Sequence, residues 1–541
     1  MIFKMENVTF VPAQTNFKGG GMMTGGSLII PENYNAVSFF VDRHLAEGRG
    51  DKTAIYYLDQ KISYREVAEN VNKTGNAFLN LGIETEDRIL LLLLDCPEFV
   101  YSFFGAIKIG AVPIPTNTML KPTDYEYLLK DSRAKAIVVS EELIENINEI
   151  SSNLPSVEHI IVVGRSGPGQ LSFHNLIKNA SPVLSLAPTI KDDPCFWLYS
   201  SGTTGFPKGA VHLQHDMVYC AENYAQKVLN INEDDVTFSV AKLFFAYGLG
   251  NGLYFPFSVG AATVLSPQRP LPEHVFEVIE RYRPTLFFGV PTSYYALLQL
   301  AEKENKYDLS SIRLCVSAGE ALPEIIYQRW MEEFGLVILD GIGSTEILHI
   351  FISNQPGEVK PGSSGRLVPG YEAKILDEDG CEVSTEEQGT LYIKGDSIAS
   401  YYWNKHEKSK QTFVGEWINT GDRYYRDKDG YFWYMGRGDD MIKSGGIWVS
   451  PVEVESTLLQ HTAVLECAVT GWADSDGLIK PKAFVVLKQN SHGNQALVEE
   501  LQQFVKNKIA PYKYPRWLEF IDELPKTATG KIQRYKLRQG G

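Results

Sequence analysis

The sequence predicts an α/β protein. A large N-terminal domain of layered α/β subdomains carries a small β-unit, and a small α+β C-terminal domain follows. Three observations predict this. The chain has 541 residues, too many for a single hydrophobic core. From about residue 50 to 300 short apolar runs alternate with helical patterns, which argues for largely parallel sheets covered by helices. Beyond about 365 the alternation gives way to short strands and turns, and beyond about 440 to a compact mixture.

The elements can be taken in order. Residues 1 to about 33 are irregular and include GGGMMTGG at 19–26. The strongest apolar run, 89–94, is six residues long, far short of the roughly 20 that span a bilayer. It reads as a strand buried on both faces. Further strands are predicted at 111–114, 136–139 and 159–163, and later at 263–265, 286–289, 314–317 and 337–339. Helices are predicted after Asp95 and Pro97, as cap and first-turn proline, and after Pro122. Strands at 373–376 and 390–394, between turns such as Glu378-Asp379-Gly380, belong to the β-unit. The last part carries a helix near 451–460, strands near 467–471, 483–488 and 518–521, and a basic end.

A net charge of -15 argues against nucleic-acid or anionic-membrane partners, which require a basic surface. It leaves room for an anionic ligand held by backbone N–H groups and a few lysines. The six cysteines, 96, 195, 220, 315, 381 and 467, form no C-x-x-C pair. They read as small core residues in a reducing cytosol. The first ten residues lack the apolar core of a signal peptide.

One segment carries distinctive chemistry. YSSGTTGFPKG, Tyr199 to Gly209, has seven Ser, Thr or Gly residues and Lys208 near its end. Glycines let backbone N–H groups turn toward an anion, hydroxyls of Ser200, Ser201, Thr203 and Thr204 add donors, and Lys208 adds charge. Gly202 and Gly205 allow the close approach. It is not a Walker A loop, because Lys208 precedes Gly209 rather than Ser or Thr. SAGEAL at 317–322 and DGIGSTE at 340–346 each place small residues after an apolar strand, where α/β folds bind ligands. Taken singly, such turns are as often ordinary connections.

The order and spacing of these motifs resemble the adenylate-forming superfamily: acyl- and aryl-CoA synthetases, peptide-synthetase adenylation domains and firefly luciferase. The resemblance covers nearly the whole chain. It implies an ATP-dependent ligase whose Tyr199–Gly209 loop holds the β- and γ-phosphates. Gly319, Glu320 and Ala321 would meet adenine, with Asp340 and Gly341 beside the nucleotide. Thr345 would bind the α-phosphate, Glu346 would hold Mg²⁺, Asp422 the ribose hydroxyls, and Arg437 would reach the nucleotide. Lys531, in PKTATGKIQR, would bridge carboxylate and α-phosphate. Asp439 would be the hinge between an adenylation domain, 1–438, and a mobile lid domain, 439–541. Gly445, Gly446 and Trp448 would line a thiol tunnel, Trp448 standing where a smaller residue is expected.

For the acid, FFAYGLGNG at 244–252 sets aromatics beside glycines, a pattern suited to a flat slot. The runs FFAYGLGNGLYFPF, SAGEALP and DGIGSTEILHIF look most like benzoate-CoA ligases. By that resemblance Phe245, Ala246, Tyr247, Gly341, Ile342 and His349 line an aryl pocket, and the cofactors are ATP, Mg²⁺ and coenzyme A. Three alternatives stay open here: loading of a carrier-protein phosphopantetheine, a luciferase-like oxidation, and a catalytically silent nucleotide-binding module. A homodimer is an expectation of the family alone.

Overall fold

The structure is a computed structural model that describes residues 29–202, 205–304, 306–438, 440–444, 447–474, 478–489, 491–526 and 532–539. The predicted alternation builds two sheets. The first has five parallel strands, in the order Val112–Pro115, Arg88–Leu92, Ala136–Ser140, His159–Val163 and Leu171–Ser172. Ile89 to Leu92 are fully buried, as an interior strand covered on both faces must be.

The second sheet has nine strands. Its parallel middle runs Ile338–Gly343, Leu314–Ser317, Leu286–Gly289, Val236–Ser239, Ala262–Leu265 and Thr53–Tyr57. Antiparallel strands close both edges, Gln60–Ser63 at one and Ile350–Ser353 with Arg366–Leu367 at the other. Antiparallel partners at the edges need only short connections, whereas each parallel step needs a crossover.

Pro97 and Pro122 stand in the first turn of helices Pro97–Lys108 and Pro122–Ser132. Asp95 is not the cap. With Pro97 opening the helix, the cap position falls on Cys96, and Asp95 Oδ1 accepts from Leu243 N at 3.0 Å. Five cysteines are buried thiols, but Cys381 is exposed. It follows Gly380, whose φ of +82° marks a turn.

The β-unit is antiparallel: Glu372–Leu376, Gly389–Lys394, Trp417–Arg426 and Phe413–Val414, with Phe432–Arg437 also paired to Trp417–Arg426. A three-stranded sheet sets Tyr401–Tyr402 against Gly205–Leu213, which pairs with Pro194–Gly202. The C-terminal part has the sheet Val464–Ala473, Ile479–Leu487 and Trp517–Phe520, packed with helices Pro451–Leu458, Gln495–Lys508 and Arg534–Gln539. Apolar clusters divide in the same way. The largest runs from Tyr34 to Phe432, and those of the C-terminal part begin at Ile442. Among the described residues no helix is long and apolar enough to cross a membrane.

Candidate active site

The glycine-rich segment is the tip of a β-hairpin. Ser200 lies opposite Lys208 and Gly202 opposite Gly205, with a register shift between the two pairs. Such a bulge re-aims side chains near a site. Thr203, Thr204 and the side chain of Ser201 lie outside the described residues. The stem is anchored on both sides. Tyr199 donates to Asp131 Oδ2 at 2.8 Å, Tyr127 to Pro207 O at 3.1 Å, and Trp403 N to Gly209 O at 2.8 Å.

At the hairpin a carboxylate meets a lysine through a tyrosine. Ser200 Oγ donates to Glu346 Oε1 at 2.9 Å, and Tyr402 OH donates to the same oxygen at 2.7 Å. Lys208 Nζ donates to Tyr402 OH at 3.4 Å and stands 4.4 Å from the centre of its ring. Burial opposes ionisation of Glu346. The Tyr402 hydroxyl, the Lys208 charge and Ser200 outweigh it, and the carboxyl is held below its usual range. Burial lowers the pKa of Lys208, Glu346 resists that, and Lys408 and Arg437 add to it. The result is an ionised carboxylate and a partly desolvated ammonium beside a loop of backbone donors, a setting for a polyanion with its cation. Tyr402 was not foreseen. Its only signal is an aromatic run at 401–403.

Among the described residues no cluster of three or more His, Cys, Asp and Glu could cage a metal. One ionised carboxylate beside a phosphate cradle instead suits magnesium that arrives on a nucleotide, since that ion binds through one or two carboxylates plus substrate phosphates.

Two neighbouring strand ends form the next wall. Ser317 and Asp340 are register partners on adjacent parallel strands. Asp340 Oδ1 and Ser317 Oγ are buried without a hydrogen-bond partner among the described residues. Asp340 Oδ2 accepts from Leu322 N at 3.3 Å. Burial, only partly offset by that amide, the nearby Ser317 hydroxyl and the Gly341 amide, raises the Asp340 carboxyl to about 8. Gly319 has φ +95°, which a residue with a Cβ rarely adopts, and it shares a bend with Glu320, which Ala321 follows.

DGIG does not lie after its strand, as the sequence reading had it; the strand runs Ile338–Gly343. A Cβ on Gly341 would stand 2.8 Å from Ile352 O, and one on Gly343 2.7 Å from His349 O. The glycines let the antiparallel neighbour lie close, and that pairing extends the strand. Across the β-unit, Asp422 and Arg437 are cross-strand partners. Arg437 Nη1 donates to Asp422 Oδ1 at 3.1 Å and to Thr420 O at 2.8 Å.

The aromatic segment is helical. Ala246–Leu249 continues through a π-turn, Gly250–Tyr254, into Phe255–Phe257. Such π-turns within helices are frequent at functional sites. Phe245, Ala246, Tyr247 and Ile342 are half-buried. The last three pack against the main core. Tyr247 OH lies within hydrogen-bond distance of Gly289 O and Val316 O, at 3.1 and 3.2 Å. His349 sits among Tyr247, Phe255 and Tyr224 at 5.6, 4.4 and 5.5 Å between ring centres. Its Nε2 is 3.3 Å from Tyr247 O, and its Nδ1 is buried without a partner among the described residues. Burial pushes the imidazole down to about 3, so the ring is neutral. Gly250 makes room for it, since a Cβ there would lie 2.4 Å from His349 Cδ2.

Thr345 and Glu346 share one turn, Thr345–Ile347. Trp448 lies in strand Ile447–Val449 opposite Lys443, its side chain outside the described set. Asp439, Gly445, Gly446 and Lys531 lie outside the described residues.

Residues 42–403 match the family model described as AMP-binding enzyme, and residues 453–531 match the AMP-binding enzyme C-terminal domain. The chain is 52% identical over 519 residues to a benzoate–CoA ligase of Thauera aromatica, covering 95% of this chain and 98% of the relative. It is 45% identical to a 4-hydroxybenzoate–CoA/benzoate–CoA ligase of Rhodopseudomonas palustris, covering 94% of each. Among solved structures, the anthranilate CoA ligase AuaEII in complex with anthranoyl-AMP superposes with a TM-score of 0.91 at 48% identity, covering 94% of this chain and 98% of that one.

Proposed function

We propose a function from one premise: this chain belongs to the AMP-binding enzyme family. It is an AMP-forming acid–thiol ligase that adenylates an aromatic carboxylic acid, benzoate or a substituted benzoate, and transfers the aryl group to coenzyme A. The observation that carries the reading is the join of Lys208, Tyr402, Glu346 and Ser200 at the tip of the glycine-rich hairpin. Relatives named as benzoate–CoA ligases support the acid and the acceptor.

In the first half-reaction a carboxylate oxygen attacks the α-phosphorus of Mg·ATP. The bond from that phosphorus to the bridging oxygen breaks, giving aryl-AMP and pyrophosphate. Backbone N–H groups of residues 200–205 and Lys208 hold the β- and γ-phosphates. Gly319, Glu320 and Ala321 face adenine with Asp340 and Gly341 beside the nucleotide, and Asp422 with Arg437 takes the ribose side. Thr345 holds the α-phosphate. Glu346 would hold the magnesium that arrives on ATP, which would supply charge compensation for the departing pyrophosphate. Lys531 joins the two anions as they meet, and the whole step rests on positioning and charge. Phe245, Ala246, Tyr247, Gly341, Ile342 and His349 enclose the ring.

In the second half-reaction the domain beyond the hinge at Asp439 turns. The thiolate enters past Gly445, Gly446 and Trp448 and attacks the carbonyl carbon, and AMP leaves. Free buried thiols suit a reducing cytosol.

The test is a pyrophosphate-release screen over benzoate, hydroxy- and aminobenzoates, phenylacetate, cinnamates and short fatty acids. Release with the benzoates, followed by CoA-dependent AMP release without added protein, is expected. Release only with fatty acids would overturn the aryl assignment, and AMP release only with a carrier protein would overturn the acceptor.

A further inference from the structure

The turn carrying Thr345 and Glu346 is strained, yet tightly held. Leu348 follows it directly with φ +73° and is fully buried. A bulky residue keeps that backbone only where its surroundings over-determine it. Three successive carbonyls of the turn are bound from outside. Glu346 O accepts from Ala399 N at 2.8 Å, and Ile347 O accepts from Ser397 Oγ at 2.9 Å. Thr345 O lies 2.8 Å from His212 Nε2.

His212 comes from the returning strand of the phosphate hairpin. It stands four residues beyond Lys208, and even spacing puts both on one face of that strand. The ring is fully buried and stacked on Phe196, 5.2 Å between centres. A carbonyl only accepts, so Nε2 carries a proton. Nδ1 lies 2.8 Å from Asp216 Oδ2, which also accepts from Leu213 N at 3.1 Å. Asp216 is itself fully buried, and its other oxygen is 3.3 Å from His215 Nε2. His215 in turn meets Lys191 O at 2.8 Å and Asp396 O at 2.9 Å. Asp396 precedes Ser397, so one carboxylate stands between the two supports of the turn.

We propose that the Asp216–His212 pair is the positioning device of the Thr345–Glu346 turn. It sets that turn against the phosphate hairpin without touching substrate. The carboxylate anchors Nδ1 and so aims the Nε2–H at the Thr345 carbonyl; both partners only accept, so in this arrangement each ring nitrogen donates. The inference rests on the adenylation reading above. No ion or cofactor enters it, and the pair lies outside the residues that the family resemblance singles out.

The full-length enzyme tests it through separated half-reactions. His212→Phe keeps the ring's volume and its stack on Phe196 but loses the N–H. His212→Gln returns an N–H toward Thr345. With benzoate, His212→Phe should lower kcat for pyrophosphate release about 30-fold, with KM for benzoate within about twofold. Thioester formation from synthetic benzoyl-AMP and CoA should stay within about threefold, and His212→Gln should regain about tenfold of the loss. Equal loss in both half-reactions, wild-type kcat in His212→Phe, or no rescue by His212→Gln would overturn the proposal. Should His212→Phe fail to fold, Asp216→Asn is decisive: about fivefold slower pyrophosphate release with the same split supports it, and wild-type rates overturn it. Should the wild type release no pyrophosphate with any aryl acid, the proposed reaction fails instead. Amide hydrogen exchange over residues 344–348 then judges the clamp. Faster exchange in His212→Phe than in His212→Gln supports it, and equal exchange overturns it.

Discussion

The two ends of the candidate site are built on opposite principles. At the phosphate end Glu346 is kept ionised inside the protein, and Lys208 reaches it through Tyr402. Both side-chain hydrogen bonds to Glu346 there are made to its charge. At the ring end His349 is kept neutral, pushed down to about 3 by burial among Tyr224, Tyr247 and Phe255. Asn251, which follows Gly250 in the π-turn, is buried with neither end of its amide partnered among the described residues. One end thus offers compensation for an anion, and the other offers a dry surface with a few polar atoms in reserve. The difference teaches that binding charge and recognising shape are assigned to separate walls, so substitutions should separate cleanly between nucleotide and acid.

Loss of charge at the phosphate end should have the largest effects. Lys531→Ala is expected to lower adenylation by about 10³-fold while leaving thioester formation from supplied aryl-AMP within a few-fold. Rapid-quench measurement of each half-reaction separates the two, and equal loss in both would break the assignment. Glu346→Gln keeps the shape but not the charge. It should cost about 10²-fold in pyrophosphate release, recovered in part by raised magnesium. Tyr402→Phe removes one hydrogen bond to a charged group and should cost about tenfold, with KM for benzoate unmoved. A rise in that KM instead would put Tyr402 at the ring end.

How much of this could be read from the sequence follows the same division. Apolar strands such as 159–163 and 314–317 agree with the structure in both bounds, because buried parallel strands are short unbroken apolar runs. The hairpin loop drew attention through its density of Gly, Ser and Thr with Lys208 near the end. Tyr402 was not, since an aromatic in a strand usually reports packing and its hydroxyl's partner, Glu346, is 56 residues away. His212 was equally silent, one of two histidines in the stretch AVHLQH. The glycines of DGIG were noticed but misread, because only the register with Ile350–Ser353 shows what they make room for. Distant partners and cross-strand fit are properties of the assembled chain, and local pattern carries neither.

At the ring end the effects should be smaller and confined to the acid. His349→Ala removes a neutral, buried ring. It should shift the ratio of kcat/KM between benzoate and ring-substituted benzoates by about tenfold, a typical size for reshaping an apolar pocket. KM for ATP should not move. Parallel steady-state curves with both substrates check this, and a matching change for ATP would mean that the two walls are coupled.

The smallest effect probes the boundary between the two ends. Asp340 is raised from 3.8 to about 8 by burial, so between those values the native chain keeps a proton that the unfolded chain has released. The native state then binds more protons than the unfolded one, and stability falls as pH rises through that window. Below about 4 both states are protonated and the cost is absent; above about 8 both are ionised and it is fully expressed. Asp340→Asn keeps an oxygen for the Leu322 amide but cannot ionise. Without nucleotide, its Tm should therefore exceed that of the wild type at pH 8 by about 2–4 °C more than it does at pH 5. Thermal melts at the two pH values test the sign. Parallel curves would mean that Asp340 is ionised in the native protein, which would add a second buried charge to the nucleotide side of the site.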